Sequence, residues 1–160
     1  MRVLVVIQKV DRNDEFFGFF HGRLLDFATR CDKVNIICLE SGAHDLPASV
    51  RVHSLGKESQ QSRLHYLLRF YRLLWLLRHE YDEVFVYLEP LYIVLGGIVW
   101  KLLGKRIILW YNHTHRSWRL RAATWLADIV MSPQRERFPL ASKKLIVVGG
   151  RHELDALVCP

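Results

Sequence analysis

Two histidines stand two residues apart in "IILWYNHTHRSWRLR" (107–121), where an apolar run ends abruptly. On an extended chain that spacing puts His113 and His115 on the same side. With Asn112 and Arg116 beside them, three chemistries are open: a metal site, a catalytic or substrate-binding loop, or a polar strand end meeting water. A zinc site needs three or four protein ligands. No H-E-x-x-H motif and no Cys/His spacing supplies the others, so no metal is expected. A neutral imidazole accepts or donates a hydrogen bond, and its charge state is easily tuned. The "NHT" sequon at Asn112 reads as a chance match.

The elements that must position these residues are legible as alternating apolar runs. Strand-like segments fall at 2–8, 33–40, 49–55, 82–88, 106–111, 128–132 and 143–150. Between them lie a helix beginning near Gly18, a long helix over 63–81, and one over 89–105 with Pro90 in its first turn and Gly104 as its stop. A further helix covers 117–127, and 133–138 makes one helical turn. Strands that are apolar throughout and alternate with helices predict a parallel sheet covered on both faces. The fold class is therefore α/β: a doubly wound, mostly parallel Rossmann-like sheet of about seven strands. Ligands of such sheets bind beyond the carboxyl ends of the strands. That rule selects Asp11, Asn13, Gly18 and His21 after the first strand, and Tyr87 and Glu89 after the fourth. It also selects Asn112, His113, His115 and Arg116 after the fifth, and Ser132 after the sixth.

Composition narrows the function. The 160 residues fit one domain over 1–150, leaving 151–160 as a hinge remnant or disordered tail. Five Trp, six Tyr and eight Phe supply a packed core. A formal charge of +7 points to an anionic partner. The basic residues form neither a recognition-helix pattern nor an aromatic-interleaved strand platform, so nucleic acid is not expected. No glycine-rich turn follows the first strand and no Walker loop occurs, so no nucleotide cofactor is expected. Asp11, Asn13 and Asp14 suit hydrogen bonds from sugar hydroxyls equally with a solvated acidic loop. Three cysteines without a CxxC argue against a disulfide frame and for a cytoplasmic setting. The longest apolar run, 91–100, is about half of what crosses a bilayer.

On the helix over 63–81, His65, Arg69, Arg72 and His79 form one stripe, with leucines and aromatics over most of the rest. One reading is a core helix with a solvated basic edge, which a doubly wound sheet needs. The other is a helix lying on an anionic membrane, Arg69 and Arg72 on the headgroups.

Taken in order, "IQKVDRND" with "GFF", "VNIICLESGAHDLP", "RVHSLGKE", "SRLHYLLRFYR", "VFVYLEPLY", "LLGKRIILWYNH", "LADIVMS" with Phe138 beyond, and "SKKLIVVG" resemble the amino-terminal domain of family 4 glycosyltransferases. The resemblance implies one half of the two-domain GT-B fold, which binds the acceptor and faces a second domain that grips the nucleotide-sugar. It implies that His113 lines the cleft near the transferred sugar. Relatives commonly carry a histidine where this chain has Tyr87, and "GGRHELDALVCP" departs from their usual hinge. The reading that follows is the acceptor-binding half of a glycosyltransferase, inactive alone, at the inner face of the membrane, with a glycan or lipid-linked acceptor. The alternative is a non-catalytic peripheral membrane or partner-binding module.

Overall fold

The run of β-branched residues after Met1 forms a strand because it is apolar on both faces. In the computed structural model, which describes residues 1–15 and 18–149, β1 (Arg2–Val10) is the central strand. Val3, Val5 and Ile7 enter one core and Leu4 and Val6 the other, as a strand covered on both sides requires. The chain continues through α1 (Gly18–Arg30), β2 (Lys33–Ser41), β3 (Val50–Ser54), α2 (Arg63–Leu76) and β4 (Glu83–Tyr87). It then forms α3 (Leu91–Leu102), β5 (Arg106–Trp110), α4 (Trp118–Leu126), β6 (Ile129–Ser132) and β7 (Leu145–Val147). Short 3-10 turns cover Lys57–Ser59 and Arg135–Arg137.

The seven strands are ordered β3-β2-β1-β4-β5-β6-β7, and every pairing is parallel. This is the expected doubly wound α/β sheet. It grows outward from β1 to β3 and then returns to place β4 on the other side of β1. The strand order therefore reverses between β1 and β4, the crevice where such sheets take ligands. One core packs α2, α3 and α4 on the sheet through Phe70, Leu74, Ile93, Trp100, Leu120 and Ala123. The opposite core packs α1 through Phe20, Leu24 and Phe27.

The structure differs from the sequence reading in three places. The helix expected over 63–81 ends at Leu76, so His79 leaves the basic stripe. The Arg2 guanidinium holds the His79 carbonyl at 2.7 Å, and Tyr81 is wholly buried, which together pull the chain toward β4. Cys31 is disulfide-bonded, against the expectation from the odd cysteine count, whereas Cys38 is a free buried thiol. Of the apolar residues on α2, Phe70 and Leu74 are buried within the helix, while Leu64, Leu68, Trp75 and Leu76 are exposed. Residues 151–160 lie outside the described residues. Among the described residues no helix is long and apolar enough to cross a membrane.

At the amino edge, Asp128 joins β5 to the turn before β6. Its carboxylate accepts the Ile107 N–H at 2.8 Å and pairs with Lys101, while its own N–H donates to the Ile107 carbonyl at 2.8 Å. Burial pushes this carboxyl upward, but the Lys101 and Ile107 hydrogen bonds outweigh it and leave the group below the usual aspartate range. A lowered carboxyl contributes stability above its unfolded value and loses it as pH falls through the folded one. Asp128→Ala is therefore expected to cost about 1 kcal/mol, or roughly 2–4 °C in melting temperature, near neutral pH. In thermal melts the gap between wild type and variant should shrink as pH falls from about 5 to about 3. A gap independent of pH would contradict this account.

Candidate functional site

β4 ends at Tyr87, and the next residue reverses the chain. Leu88 sits at φ 63°, with its N–H on the Trp110 carbonyl at 2.9 Å, and the Glu89 N–H returns to the Tyr87 carbonyl at 2.9 Å. A left-handed backbone at a bulky aliphatic residue costs about 1–2 kcal/mol, and such strain concentrates at functional sites. Its effect here is to set Glu89 at the edge of the sheet. One Glu89 carboxylate oxygen accepts the Leu91 N–H at 3.1 Å and the other accepts Gln8 Nε2 at 3.1 Å. Because Gln8 lies on β1, Glu89 spans the crevice where the strand order reverses.

β5 delivers the second wall. Tyr111 is buried, its N–H bonds the Met131 carbonyl at 2.9 Å, and its hydroxyl donates to the His115 carbonyl at 3.0 Å. Its ring meets Phe138 edge-on at 6.1 Å and His113 at 5.6 Å. Burial, and then the nearby Glu89 charge, raise the Tyr111 phenol, so it stays a neutral donor at physiological pH. The loop over 112–116 is thus anchored at its start by Tyr111 and at its end by Ser117, whose hydroxyl caps α4 by accepting the Leu120 N–H at 3.1 Å. Asn112 Oδ1 is a buried acceptor with no donor among the described residues.

Glu89, Pro90, Tyr111, His113, His115, Trp118 and Arg119 line a hollow of about 470 Å³. A pinned carboxylate, an exposed imidazole and an exposed indole in one hollow suit a ligand rich in hydroxyls: the polar groups exchange hydrogen bonds and the ring face covers C–H groups. Among the described residues no group of three His, Cys, Asp or Glu could hold a metal.

The structure brings together Glu89, His113 and His115 of the expected residues and keeps the others elsewhere. Arg116 is exposed and lines a neighbouring hollow. Asp11 pairs with Lys9 at 3.4 Å and accepts the Asn13 N–H at 3.0 Å, while Asn13 itself is exposed. Gly18 opens α1 with its N–H on the Asp14 carbonyl at 2.8 Å, and His21 Nε2 accepts the Asp45 N–H at 3.2 Å. Tyr87 packs its ring on Phe20, with centroids 4.1 Å apart. Ser132 is fully buried and donates its hydroxyl to the Gln134 carbonyl at 3.0 Å. Trp118 and Arg119 were not anticipated, nor was the left-handed turn at Leu88. Arg69 and Arg72 lie exposed on α2, lining a hollow with His65 and Leu68.

No protein-family model matches this sequence, and no curated protein matches it either. Solved structures do resemble it. Anabaena HepE in complex with UDP superposes with TM-score 0.62 at 17 % identity, covering 92 % of this chain and 43 % of that one. The lipopolysaccharide outer core galactosyltransferase WaaB superposes with TM-score 0.61 at 12 % identity, covering 92 % and 45 %. Acinetobacter baumannii MurG gives TM-score 0.57 at 10 % identity, covering 91 % and 44 %. The chain thus spans less than half the length of each. At these identities the likeness establishes the fold, that of one Rossmann-like half of a GT-B protein.

The Ser117 cap holds α4, and with it Trp118, against the hollow. Ser117→Ala is expected to cost about 1 kcal/mol and lower the melting temperature by roughly 2–4 °C, and Ser117→Asp to restore it. Equal melting of all three proteins would show that the cap does not hold the helix.

Proposed function

We propose that this chain is the acceptor-binding half of a family 4 type glycosyltransferase, moving a sugar from a nucleotide-sugar to a glycan or lipid-linked acceptor. The observation that carries the reading is the Glu89–His113 hollow at the carboxyl edge, beside the β1–β4 crevice. Structures of the same fold support this reading: HepE was solved with UDP-glucose, another is a UDP-N-acetylglucosamine 2-epimerase, and WaaB is named a galactosyltransferase. Nucleotide-sugar recognition is assigned to a second domain, because no glycine-rich loop follows β1. In the hollow, Glu89 orders acceptor hydroxyls and His113 exchanges a hydrogen bond with the sugar as it becomes oxocarbenium-like. Asp11, Asn13, His21 and Arg116 extend the acceptor surface along the edge.

A second surface favours a membrane-associated acceptor and also supports the alternative of a non-catalytic peripheral module. On α2, Leu64, Leu68, Trp75 and Leu76 are each more than half exposed, interleaved with Arg69 and Arg72. A helix that is apolar and basic on its outer face resembles an interfacial anchor more than a core helix with a charged edge. It would hold the protein at the inner, anionic face of a cytoplasmic membrane.

Two outcomes are expected. In the domain joined to a competent nucleotide-sugar half, His113→Ala should lower turnover by about 30- to 1000-fold, the equivalent of roughly 2–4 kcal/mol, with the melting temperature nearly unchanged. His115→Ala should cost much less. If His113→Ala instead unfolds the domain while the folded fraction turns over normally, the histidine is structural. In co-sedimentation with anionic vesicles, the Arg69→Glu/Arg72→Glu double variant should bind less than wild type, and wild-type binding should fall as salt rises. Equal binding of the two proteins, or none by either, would return α2 to a purely structural role.

A further inference from the structure

The Glu89–His113 hollow does not end at α4. Ser117 and Trp118 line both it and a second hollow of about 470 Å³ that contains Arg116 and Arg121. Arg121 and Leu140 in turn line both that second hollow and a third of about 440 Å³, which contains Trp125 and Lys143. Three hollows that share walls form one track, running from the carboxyl edge of the sheet along the outer face of α4.

Its lining is unusual for a solvated helix. Trp118 is 66 % exposed and Trp125 77 % exposed. Seven residues apart, they fall on the same helix face, about 10.5 Å apart along the axis. That distance exceeds one sugar ring. Arg121 lies on the same face between them. Arg116, Arg121 and Lys143 take part in no ion pair among the described residues. These cations are therefore available to an external anion, and the two indoles offer flat apolar faces between them.

We infer that this track binds an extended anionic oligosaccharide, its sugar rings on Trp118 and Trp125 and its carboxylate or phosphate substituents on Arg116, Arg121 and Lys143. The inference rests on the acceptor-half reading, which puts the reacting end of the chain in the Glu89–His113 hollow. A single-stranded nucleic acid would also use aromatic faces and cations, but the track leads into the Glu89 carboxylate, which disfavours a phosphate at every step. A membrane would need a protruding apolar face. α2 has one, whereas on α4 the exposed indoles flank hollows lined by the cations Arg116, Arg121 and Lys143.

The test is binding to the 160-residue chain, followed by calorimetry, with oligogalacturonate hexamer, a phosphorylated mannan hexamer, neutral maltohexaose and monomeric galacturonate. At least one acidic hexamer should bind about tenfold more tightly than maltohexaose and than the monomer. The preferred hexamer identifies the substituent as carboxylate or phosphate. Trp125→Ala should weaken the hexamer by about tenfold and leave the monomer unchanged, whereas Trp118→Ala should weaken both. Both side chains are exposed, and matching far-ultraviolet spectra and melts would confirm that the variants fold.

Equal binding of acidic and neutral hexamers, no binding of either acidic hexamer, or indifference to Trp125→Ala would overturn the inference. So would tighter binding of oligothymidylate or anionic vesicles that the same two variants abolish. Because the readout is binding rather than turnover, failure here leaves the His113→Ala turnover test standing. A null result for His113→Ala likewise leaves the track's selectivity to be judged by these titrations.

Discussion

The parallel pairing of β4 with β1 is the constraint from which the site follows. β1 carries β2 on one side and β4 on the other, so the chain must cross back over the sheet through α2 before β4 can form. Two consequences are geometric. Every strand points its carboxyl end at the same edge, and the loops after β1 and β4 separate there to leave a crevice. Glu89 closes the top of that crevice through Gln8, and the strained turn at Leu88 sets it there. β5, paired with β4 from Glu83↔Arg106 to Tyr87↔Trp110, then brings Tyr111 and His113 alongside.

Electrostatics divide the same edge into two regions. At the β1–β2 side, Lys9 is surrounded by Asp11, Asp14 and Glu40, and Glu40 also meets Lys57, so the charges are largely used up within the protein. Toward α4, Arg116, Arg119 and Arg121 have no carboxylate partner among the described residues, while aromatic rings stay exposed. Internally satisfied charges stabilise a loop, whereas unpaired cations beside exposed aromatic faces are what an external ligand can use. The asymmetry favours the β4–β5–α4 side of the edge for the proposed recognition, with the acidic β1 loop in a supporting part.

Much of this was legible in the chain because two-sided burial leaves a plain mark. Apolar runs marked most of the seven strands, the alternating "SVRVHSL" marked β3, and the strand-exit rule put His113 and Glu89 at the carboxyl edge. The rest depended on contacts distant in sequence. The end of α2 is set by Arg2 reaching the His79 carbonyl from 77 residues away, which no helical periodicity contains. The turn at Leu88 carries no glycine or asparagine to announce a left-handed backbone. Ser132 is a polar residue at a strand exit, yet its hydroxyl is spent on the adjacent Gln134 carbonyl. Trp118 and Trp125 escaped notice because large aromatic residues are by default assigned to a core, and only the packing of α4 shows that these two face outward.

The central claim is that ligands meet this domain where β4 and β5 end. Amide chemical-shift mapping of the isotopically labelled chain during titration with a saccharide locates that contact residue by residue. The account predicts the largest shifts at Leu88, Glu89 and the segment from Tyr111 to Arg119, smaller ones around Asp11 to His21, and an amino edge of the sheet that is nearly silent. Shifts concentrated instead around Asp11 to His21, or at the amino edge near Asp82 and Asp128, would contradict it.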